Sequence, residues 1–413
     1  MEPPVRIRSI TIGQRQSFPV KQDAVTRAGA FAQKAREAFQ RAGYEVQTLR
    51  LATQPISVLL GAGRASDAPA LAAGMELAVT DAGINYCSLG PIMATDKADA
   101  SPLIAQIPEV LASTKQAFVS VTPAATSRGI NLRAIRESAE ALFRATRGDE
   151  EGARSRRFTI SANVPPNGPF FPSAYHAGAG TAFSLALEAA DLAVDAFSEA
   201  STLDEARTGL KRRLLRGGRA LERIAERLAN ANGVAFRGMD ISLAPFPEEA
   251  RSIGHAIERL GVERYGGHGT LFASAFITGV LAEVPLFKCG FSGLMIPLLE
   301  DHTMARRHAE GAYTLDSLLL YSAVCGAGLD TIPVPGDATA EQIASVYLDV
   351  CTMAVALDKP LTCRLMPLAG KRAGDEVKFA FPYFAPTRVV ALGPGAGRLL
   401  RKGDWVRKLG KPS

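Results

Sequence analysis

The chain has 413 residues, of which 47% are hydrophobic and 21% are charged. This composition suits one large or two to three ordinary globular domains and excludes disorder over most of the length. The formal charge of +6 is concentrated at the C-terminus, since residues 398–413 carry six Lys or Arg and one Asp, which leaves +1 for the rest of the chain. A nucleic-acid-binding face is therefore not expected on the body, and 398–413 is interpreted as a basic tail.

No segment predicts export or a membrane span. Residues 1–13 lack the apolar run of a signal peptide. The most apolar stretch, 270–300, is interrupted by Glu283, Pro285 and Lys288 before it reaches bilayer length. The cysteines are too widely spaced for a disulfide scaffold or a zinc ribbon; they are Cys87, Cys289, Cys325, Cys351 and Cys363. We expect a cytoplasmic protein with reduced thiols.

Runs rich in β-formers alternate with amphipathic runs, which predicts a largely parallel sheet with helical crossovers. In the first half the predicted strands are 5–13, 44–52, 84–90, 116–123 and 157–164, and the predicted helices are 23–43, 67–83, 101–114 and 132–148. In the second half the predicted helices are 180–197, 203–233, 248–261 and 339–358, and the predicted strands are 239–245, 361–368, 377–384 and 387–393. The alternation continues without a shift in composition, so we predict one α/β domain over 1–397.

The glycine-rich segments do not predict a nucleotide cofactor. None gives G-x-G-x-x-G between a strand and a helix, and G-x-x-x-x-G-K-[ST] does not occur in the chain. Gly178 and Gly180 precede the predicted helix 180–197, whose free N–H groups could bind an anion on a substrate. An ordinary helix start is the alternative.

Two histidines and two carboxylates are candidate site residues. His176 and His268 lie among small residues just before predicted helices, in loops of the kind that carry function. They could act as acid and base groups, or they could bind a divalent metal together with Glu300 and Asp301. No H-x-x-x-H spacing enforces the metal site.

Cys325 lies in a glycine-rich turn that follows a predicted helix and precedes Asp330. A thiol in a loop could be a nucleophile if a neighbouring imidazole or cation lowers its pKa, and Asp330 could orient its partner. The alternative is a small buried packing residue.

Arg364 and Lys371 form a candidate anion clamp. Arg364 lies within the predicted strand 361–368, and Lys371 lies in the turn that follows it. Together they could bind a substrate carboxylate or phosphate. A surface hairpin with ordinary charges is the alternative.

Six ordered motifs, with "RIRSITIG" and "SRGIN" near the N-terminus, resemble the uncharacterised prokaryotic family called domain of unknown function 711; they are "FFPSAYHAG", "MDISLAPFP", "GGHGTLFA", "GFSGLMIPLLED", "AVCGAGLDTIPVPGD" and "RLMPLAGKRAGD". The resemblance implies a fold similar to that of the glycyl radical enzymes such as pyruvate formate-lyase: a ten-stranded α/β barrel with helices outside and a finger loop inside. In those enzymes the finger loop carries the attacking cysteine, so the resemblance implies that Cys325 is the corresponding residue. The radical glycine is missing, however, because Ala391 stands at its place in "RVVALG".

These observations predict an enzyme with its small-molecule pocket inside the barrel. The expected chemistry is polar and non-radical, a hydrolase or lyase reaction on an acidic or amide metabolite, with Cys325, His176 and His268 at its centre. A metal-dependent enzyme is one alternative. The other is a non-catalytic metabolite-binding regulator paired with a small ACT-domain protein, a partner that the resemblance implies. A homo-oligomer is compatible with each.

Overall fold

The computed structural model describes residues 5–61 and 63–407. Its helices are α1 (Gln22–Arg41), α2 (Ile56–Leu60), α3 (Ala68–Asp81), α4 (Ser101–Ile104), α5 (Ile107–Ser113), α6 (Leu132–Ala145), α7 (Ala190–Glu199), α8 (Leu203–Asn232), α9 (Ile253–Arg259), α10 (Thr270–Glu283), α11 (His302–Ala309), α12 (Leu315–Ser322), α13 (Ala340–Leu357) and α14 (Gly397–Leu400). Its strands are β1 (Arg6–Gly13), β2 (Val46–Ala52), β3 (Tyr86–Ile92), β4 (Ala117–Ala125), β5 (Gly129–Asn131), β6 (Phe158–Ala162), β7 (Ala182–Glu188), β8 (Ala235–Ala244), β9 (Gly328–Pro335), β10 (Leu361–Leu368), β11 (Glu376–Val377), β12 (Thr387–Arg388) and β13 (Trp405–Val406).

A large, mostly parallel sheet organises the protein. Its main path runs in the order β8-β7-β1-β2-β3-β4-β6-β10-β9. Strands β1, β2, β3, β4 and β6 are parallel to one another. At each end the direction reverses: β7 and β8 run antiparallel to β1, and β10 and β9 run antiparallel to β6. The predicted α/β class is confirmed.

Helical crossovers pack against this sheet as the alternating pattern predicts. Helix α1 contacts β1 and β2, α3 contacts β3, and α13 contacts β4 and β10. The main hydrophobic cluster of the interior includes residues from all of these elements. By length and composition α13 could cross a membrane, but half of it is buried inside the protein, as in a core helix.

The predicted helix 180–197 is wrong in its first half. Residues Ala182–Glu188 form β7, and the helix begins only at Ala190. All seven residues of β7 are buried, including Ser184 and Glu188, so the run lacks the alternation of buried and exposed residues that identifies a strand. The strand predictions for 377–384 and 387–393 were also mostly wrong, because β11 and β12 contain only two residues each.

The C-terminal segment contacts the body where the sequence predicted a solvated tail. Strand β13 pairs with β5. Arg136 of α6 donates to the Asp404 carboxylate at 2.6 Å, and the indole N–H of Trp405 donates to the Arg128 carbonyl at 3.1 Å. The last residues of the predicted tail, 408–413, lie outside the described residues.

The segment 288–297 runs between the two edge strands of the main path. Lys288 forms a parallel bridge with Met239 of β8, and Pro297 forms one with Asp330 of β9. No continuous ladder joins β8 to β9 among the described residues. The ten-stranded barrel with an internal finger loop is therefore not confirmed.

A buried carboxylate holds this segment in place. Asp240, which has no exposed surface, accepts hydrogen bonds from the backbone N–H groups of Phe291 at 2.7 Å and Ser292 at 3.0 Å. It also accepts from the Ser242 hydroxyl at 2.6 Å. Four donors on one carboxylate, including the Ser242 N–H, compensate much of the cost of burying it.

Candidate functional site

A cavity lies against the sheet, and the centre of a water-sized sphere can occupy about 100 Å³ of it. Its wall takes residues from β1, β2, β3, β4, β9 and β10 and from the connecting segments 170–173, 291–300 and 381–384. We call it the arginine cavity because its charged lining residues are Arg8, Arg50, Arg156, Arg364, Glu300 and Asp330.

The strand geometry explains why charged residues reach this cavity from a buried sheet. Side chains along a strand point alternately to opposite faces. On β2, Thr48 and Arg50 face the cavity, whereas Leu49 and Leu51 on the other face are fully buried in the core. On β10, Thr362 and Arg364 occupy the same face in the same way.

Arg364 is the centre of an ion-pair network on the cavity wall. Its Nε and Nη2 atoms donate to the two Asp330 carboxylate oxygens at 2.6 and 3.0 Å, a bidentate arrangement. Nη2 also donates to Glu300 at 3.1 Å. Burial raises the pKa of Asp330, and the Arg364 guanidinium opposes that rise.

Arg8 completes the network from β1. It donates to the second Glu300 oxygen, to Glu188 at 3.2 Å and to the Pro245 carbonyl at 3.2 Å. Glu188 is only 1% exposed and also pairs with Arg251. Arg8 and Arg364 are thus fully engaged by the carboxylates around them.

Arg50, unlike Arg8 and Arg364, is not engaged by carboxylates of the described residues. Its Nε donates to the Thr48 hydroxyl at 3.0 Å, and its guanidinium carbon lies 5.3 Å from the Phe171 ring centroid and 6.0 Å from that of Tyr86. Within residues 5–61 and 63–407, no Asp or Glu carboxylate oxygen lies within 4.0 Å of the Arg50 guanidinium nitrogens, so Arg50 forms no ion pair there. Burial lowers the pKa of Arg50 to about 10, and the neighbouring Arg8 acts in the same direction.

Arg156 is the second cavity arginine without an acidic partner in the described part of the chain. Its guanidinium carbon lies 4.5 Å from the Phe381 ring centroid. Burial lowers the pKa of Arg156 as well. Two partly desolvated cations therefore face the cavity, and their direct contacts there are aromatic rings and the Thr48 hydroxyl.

Aromatic rings form the rest of the wall. Tyr86, Phe118 and Phe171 make a row of edge-to-face contacts, with centroid distances of 5.5 and 5.3 Å. On another side, Phe381 and Phe384 contact each other at 5.0 Å. The cavity can therefore hold an apolar ligand body as well as a charged group.

The connection 378–386 between β11 and β12 lines part of the cavity. Its Phe381 contacts Arg156, and its Tyr383 ring lies 5.4 Å from the Arg8 guanidinium carbon. Most of this connection falls in the predicted strand 377–384, and its aromatic side chains form cavity wall instead.

Cys325 does not line the arginine cavity. It is 1% exposed and belongs to the main hydrophobic cluster. Its sulfur accepts from the Gly328 N–H at 3.3 Å. The end of α12 before it is fixed by Lys359, whose ammonium donates to the carbonyls of Ser322 and Cys325. These contacts match the packing alternative for this thiol.

His176 lies in the connection 163–181 between β6 and β7 and does not line the arginine cavity. Its Nδ1 is 3.1 Å from the Asn167 amide oxygen, while Nε2 is buried without a partner among the described residues. Burial lowers the pKa of His176, and Arg237 and Arg15 lower it further. A side-chain carbon on Gly13 would come within 2.6 Å of Nδ1, so this histidine fills the space that Gly13 leaves.

The predicted metal set is dispersed. His268 is exposed, Glu300 is engaged by Arg8 and Arg364, and Asp301 is buried as the N-cap of α11, where it also accepts from Ser252 at 2.5 Å. Within residues 5–61 and 63–407, no group of three His, Cys, Asp or Glu side chains could hold a metal ion. The structure does not bring Cys325, His176 and His268 into one cavity.

The predicted anion groups are also divided. Arg364 and Asp330, which were predicted for separate roles, line one cavity and pair with each other there. Lys371 lies outside it, in the turn after β10, 3.5 Å from the Glu376 carbonyl. Gly178 and Gly180 are exposed and lead into a strand, so the expected helix end is not formed there.

The family model described as "Uncharacterised ACR (DUF711)" matches residues 2–383. The chain belongs to this family. Curated relatives named UPF0210 protein include one from Pyrobaculum aerophilum, 33% identical over 353 residues, which covers 81% of this chain and 76% of the relative. Another, from Pelotomaculum thermopropionicum, is 30% identical over 400 residues, covering 93% and 88%. A third, from Listeria monocytogenes, is 29% identical over 353 residues, covering 82% and 77%.

The predicted family membership is confirmed, and these names state no activity. What sequence reasoning missed in this DUF711 protein is the set Arg8, Arg50 and Arg156. A signal was present for two of them: Arg8 and Arg50 each interrupt an apolar strand, as Arg364 does. Arg156 precedes β6 beside Arg157 and gave no comparable signal.

Proposed function

We propose that this DUF711 protein binds a small anionic metabolite in the arginine cavity. The observation that carries the proposal is the pair Arg50 and Arg156, two guanidinium groups that face the cavity without a carboxylate partner in the described chain. A buried charge is costly unless it is paired. An anionic ligand would supply the missing partner at both arginines.

A closed barrel would place this cavity in the protein interior. The bridges at Lys288 and Pro297 support closure of the sheet through the segment 288–297. Counted as a strand, that segment would give ten strands, five in each direction, and ten is the number that the family resemblance implies. Phe291 and Met295 of the same segment line the cavity, so closure and ligand binding would use one element.

A second candidate is an enzyme that acts on the bound anion by polar acid–base chemistry. It is favoured by Asp330, a cavity carboxylate whose pKa burial raises. A carboxyl group with a raised pKa is suited to proton transfer. In this candidate Asp330, rather than Cys325 with His176 and His268, would be the working group of a hydrolase or lyase.

The alternative to catalysis is a metabolite-binding regulator paired with an ACT-domain protein. The two candidates differ in what happens to the ligand. A regulator would release the anion unchanged, whereas an enzyme would convert it. Mass analysis of the ligand after incubation with the protein separates these outcomes.

Equilibrium dialysis against a set of small carboxylates and phosphates tests the binding proposal. Arg156→Gln removes one uncompensated charge from the cavity, and Arg144→Gln removes the same charge from an exposed position on α6. We expect at least one anion to be retained by the wild type and by the Arg144 variant but not by the Arg156 variant. Equal retention by all three proteins would contradict the proposal.

A further inference from the structure

The charge balance of the arginine cavity constrains the ligand beyond its sign. Four arginines and two carboxylates line the wall, so two positive charges are left over at neutral pH. Outside the wall, Glu188 pairs with both Arg8 and Arg251, and Arg251 also pairs with the exposed Glu248. A ligand with two negative charges would neutralise this excess.

No carboxylate in the wall is free to accept a cationic group. Asp330 is held bidentately by Arg364, and the two Glu300 oxygens are taken by Arg8 and Arg364. An ammonium group would have to displace a guanidinium to find a partner here. The wall therefore favours a ligand that is purely anionic over a zwitterion such as a free amino acid.

The two unpaired arginines belong to different elements of the fold. Arg50 lies on β2, and Arg156 lies just before β6. The strands β3 and β4 stand between β2 and β6 in the sheet, so the two backbones are separated by three strand spacings, roughly 14 Å. Arg50 lies over Phe171 and Arg156 over Phe381, so each guanidinium contacts a different ring.

Aromatic rings line the cavity beside both unpaired arginines. Tyr86 and Phe171 lie beside Arg50, Phe381 lies beside Arg156, and Phe384 contacts Phe381. An aromatic ring or another planar body can pack against such rings. The cavity therefore presents two cations and aromatic surface to one ligand.

We propose that the ligand is a small dicarboxylate with a planar apolar body, one carboxylate pairing with Arg50 and the other with Arg156. This inference rests on the proposed function, since it specifies the anion that the arginine cavity binds. Each carboxylate accepts two N–H donors from its guanidinium, and the body lies between the aromatic walls.

Calorimetric titration with matched probes tests the inference. Terephthalate carries two carboxylates, and its monoamide has nearly the same shape with one. We expect terephthalate to bind the wild type at least tenfold more tightly than the monoamide, because one charge-assisted pair is lost. In Arg50→Gln and in Arg156→Gln this difference should fall below threefold, whereas Arg144→Gln should retain it.

Phenyl phosphate tests the separation of the two charges, since it places both on one group. If it binds as tightly as terephthalate and loses affinity equally in both cavity variants, the arginines act on one compact anion and the dicarboxylate inference is overturned. Equal binding of terephthalate and its monoamide, both weakened in the cavity variants, overturns the inference but leaves the proposed function standing.

Two outcomes would refute the proposed function itself. One is no binding of any probe at about 10 mM, the range where even a single weak ion-paired contact is detectable. The other is binding that is unchanged in both cavity variants. Thermal unfolding of each variant and a charge-retaining Arg50→Lys variant show whether a loss of affinity reflects lost charge or lost folding; the lysine variant should keep part of the terephthalate preference.

Discussion

Replacing Arg50 by methionine should stabilise the ligand-free protein, although it removes a residue of the proposed site. The pKa of Arg50 falls from 12.5 to about 10 through burial, which corresponds to roughly 3 kcal/mol of cost for the charged form. This cost is present at neutral pH, because below about pH 10 both the folded and the unfolded protein carry the proton. The lost contacts with Phe171 and Tyr86 offset about 1 kcal/mol of it.

The expected net gain is about 1–3 kcal/mol in the free energy of unfolding. For a chain of 413 residues, each kcal/mol moves the melting temperature by about 1 °C. Thermal and urea unfolding should therefore show a small but consistent increase for Arg50→Met, measured in a buffer without carboxylates or phosphate.

The matched control is Arg364→Met, the same substitution on the same wall. It would leave Asp330 and Glu300 without their shared cation, and removal of one partner from a buried ion pair costs about 3 kcal/mol or more. The two variants should thus change stability in opposite directions. If Arg50→Met is destabilised as strongly as Arg364→Met, Arg50 is a structural residue and the reasoning from its missing partner fails.

Three further predictions concern other parts of the fold. Asp240→Ala should lower the free energy of unfolding by about 3 kcal/mol, since it leaves the buried N–H groups of Phe291 and Ser292 without acceptors; urea unfolding measures this, and a change below 1 kcal/mol would show that Asp240 does not hold the segment. His308, whose pKa burial lowers from 6.5 to about 4, should make stability fall as pH drops from about 6.5 toward 4, because only the unfolded protein takes up the proton in that window. The melting temperature of His308→Asn should therefore change less with pH over this range than that of the wild type. Equal changes in both proteins would refute the assignment of this pH dependence to His308. Cys325→Ala should lower the free energy of unfolding by about 1–2 kcal/mol, because it leaves a small cavity, and should leave anion affinity unchanged. A loss of affinity in a calorimetric titration would show that the thiol takes part in binding.

The first half of the fold could be predicted from the sequence, because apolar residues recur at different intervals in its strands and in its helices. β1, β2 and β4 were predicted where they occur, since charged and turn residues bound each apolar run. β7 was missed because burial on both faces removes the alternation that identifies a strand. Aromatic residues at 378–386 resembled a strand but serve as cavity wall.

The site was predicted less well, because its members are far apart in the chain. Arg364 and Asp330 were identified and do face the cavity together. Cys325 was singled out by its glycine-rich turn and His176 by its small neighbours in a loop, yet Gly326 serves close backbone packing against Gly293 and His176 packs against Gly13. Whether a charged residue in a strand has a partner depends on strand order, which the sequence alone did not provide.

Anomalous diffraction from a bromide-soaked crystal would test the central claim most directly, because it locates anion-binding cations without knowledge of the natural ligand. Uncompensated guanidinium groups attract anions, whereas paired ones do not. The account predicts bromide sites beside Arg50 and Arg156 and none beside Arg364. Bromide confined to the outer surface, with the arginine cavity empty of anions, would contradict it.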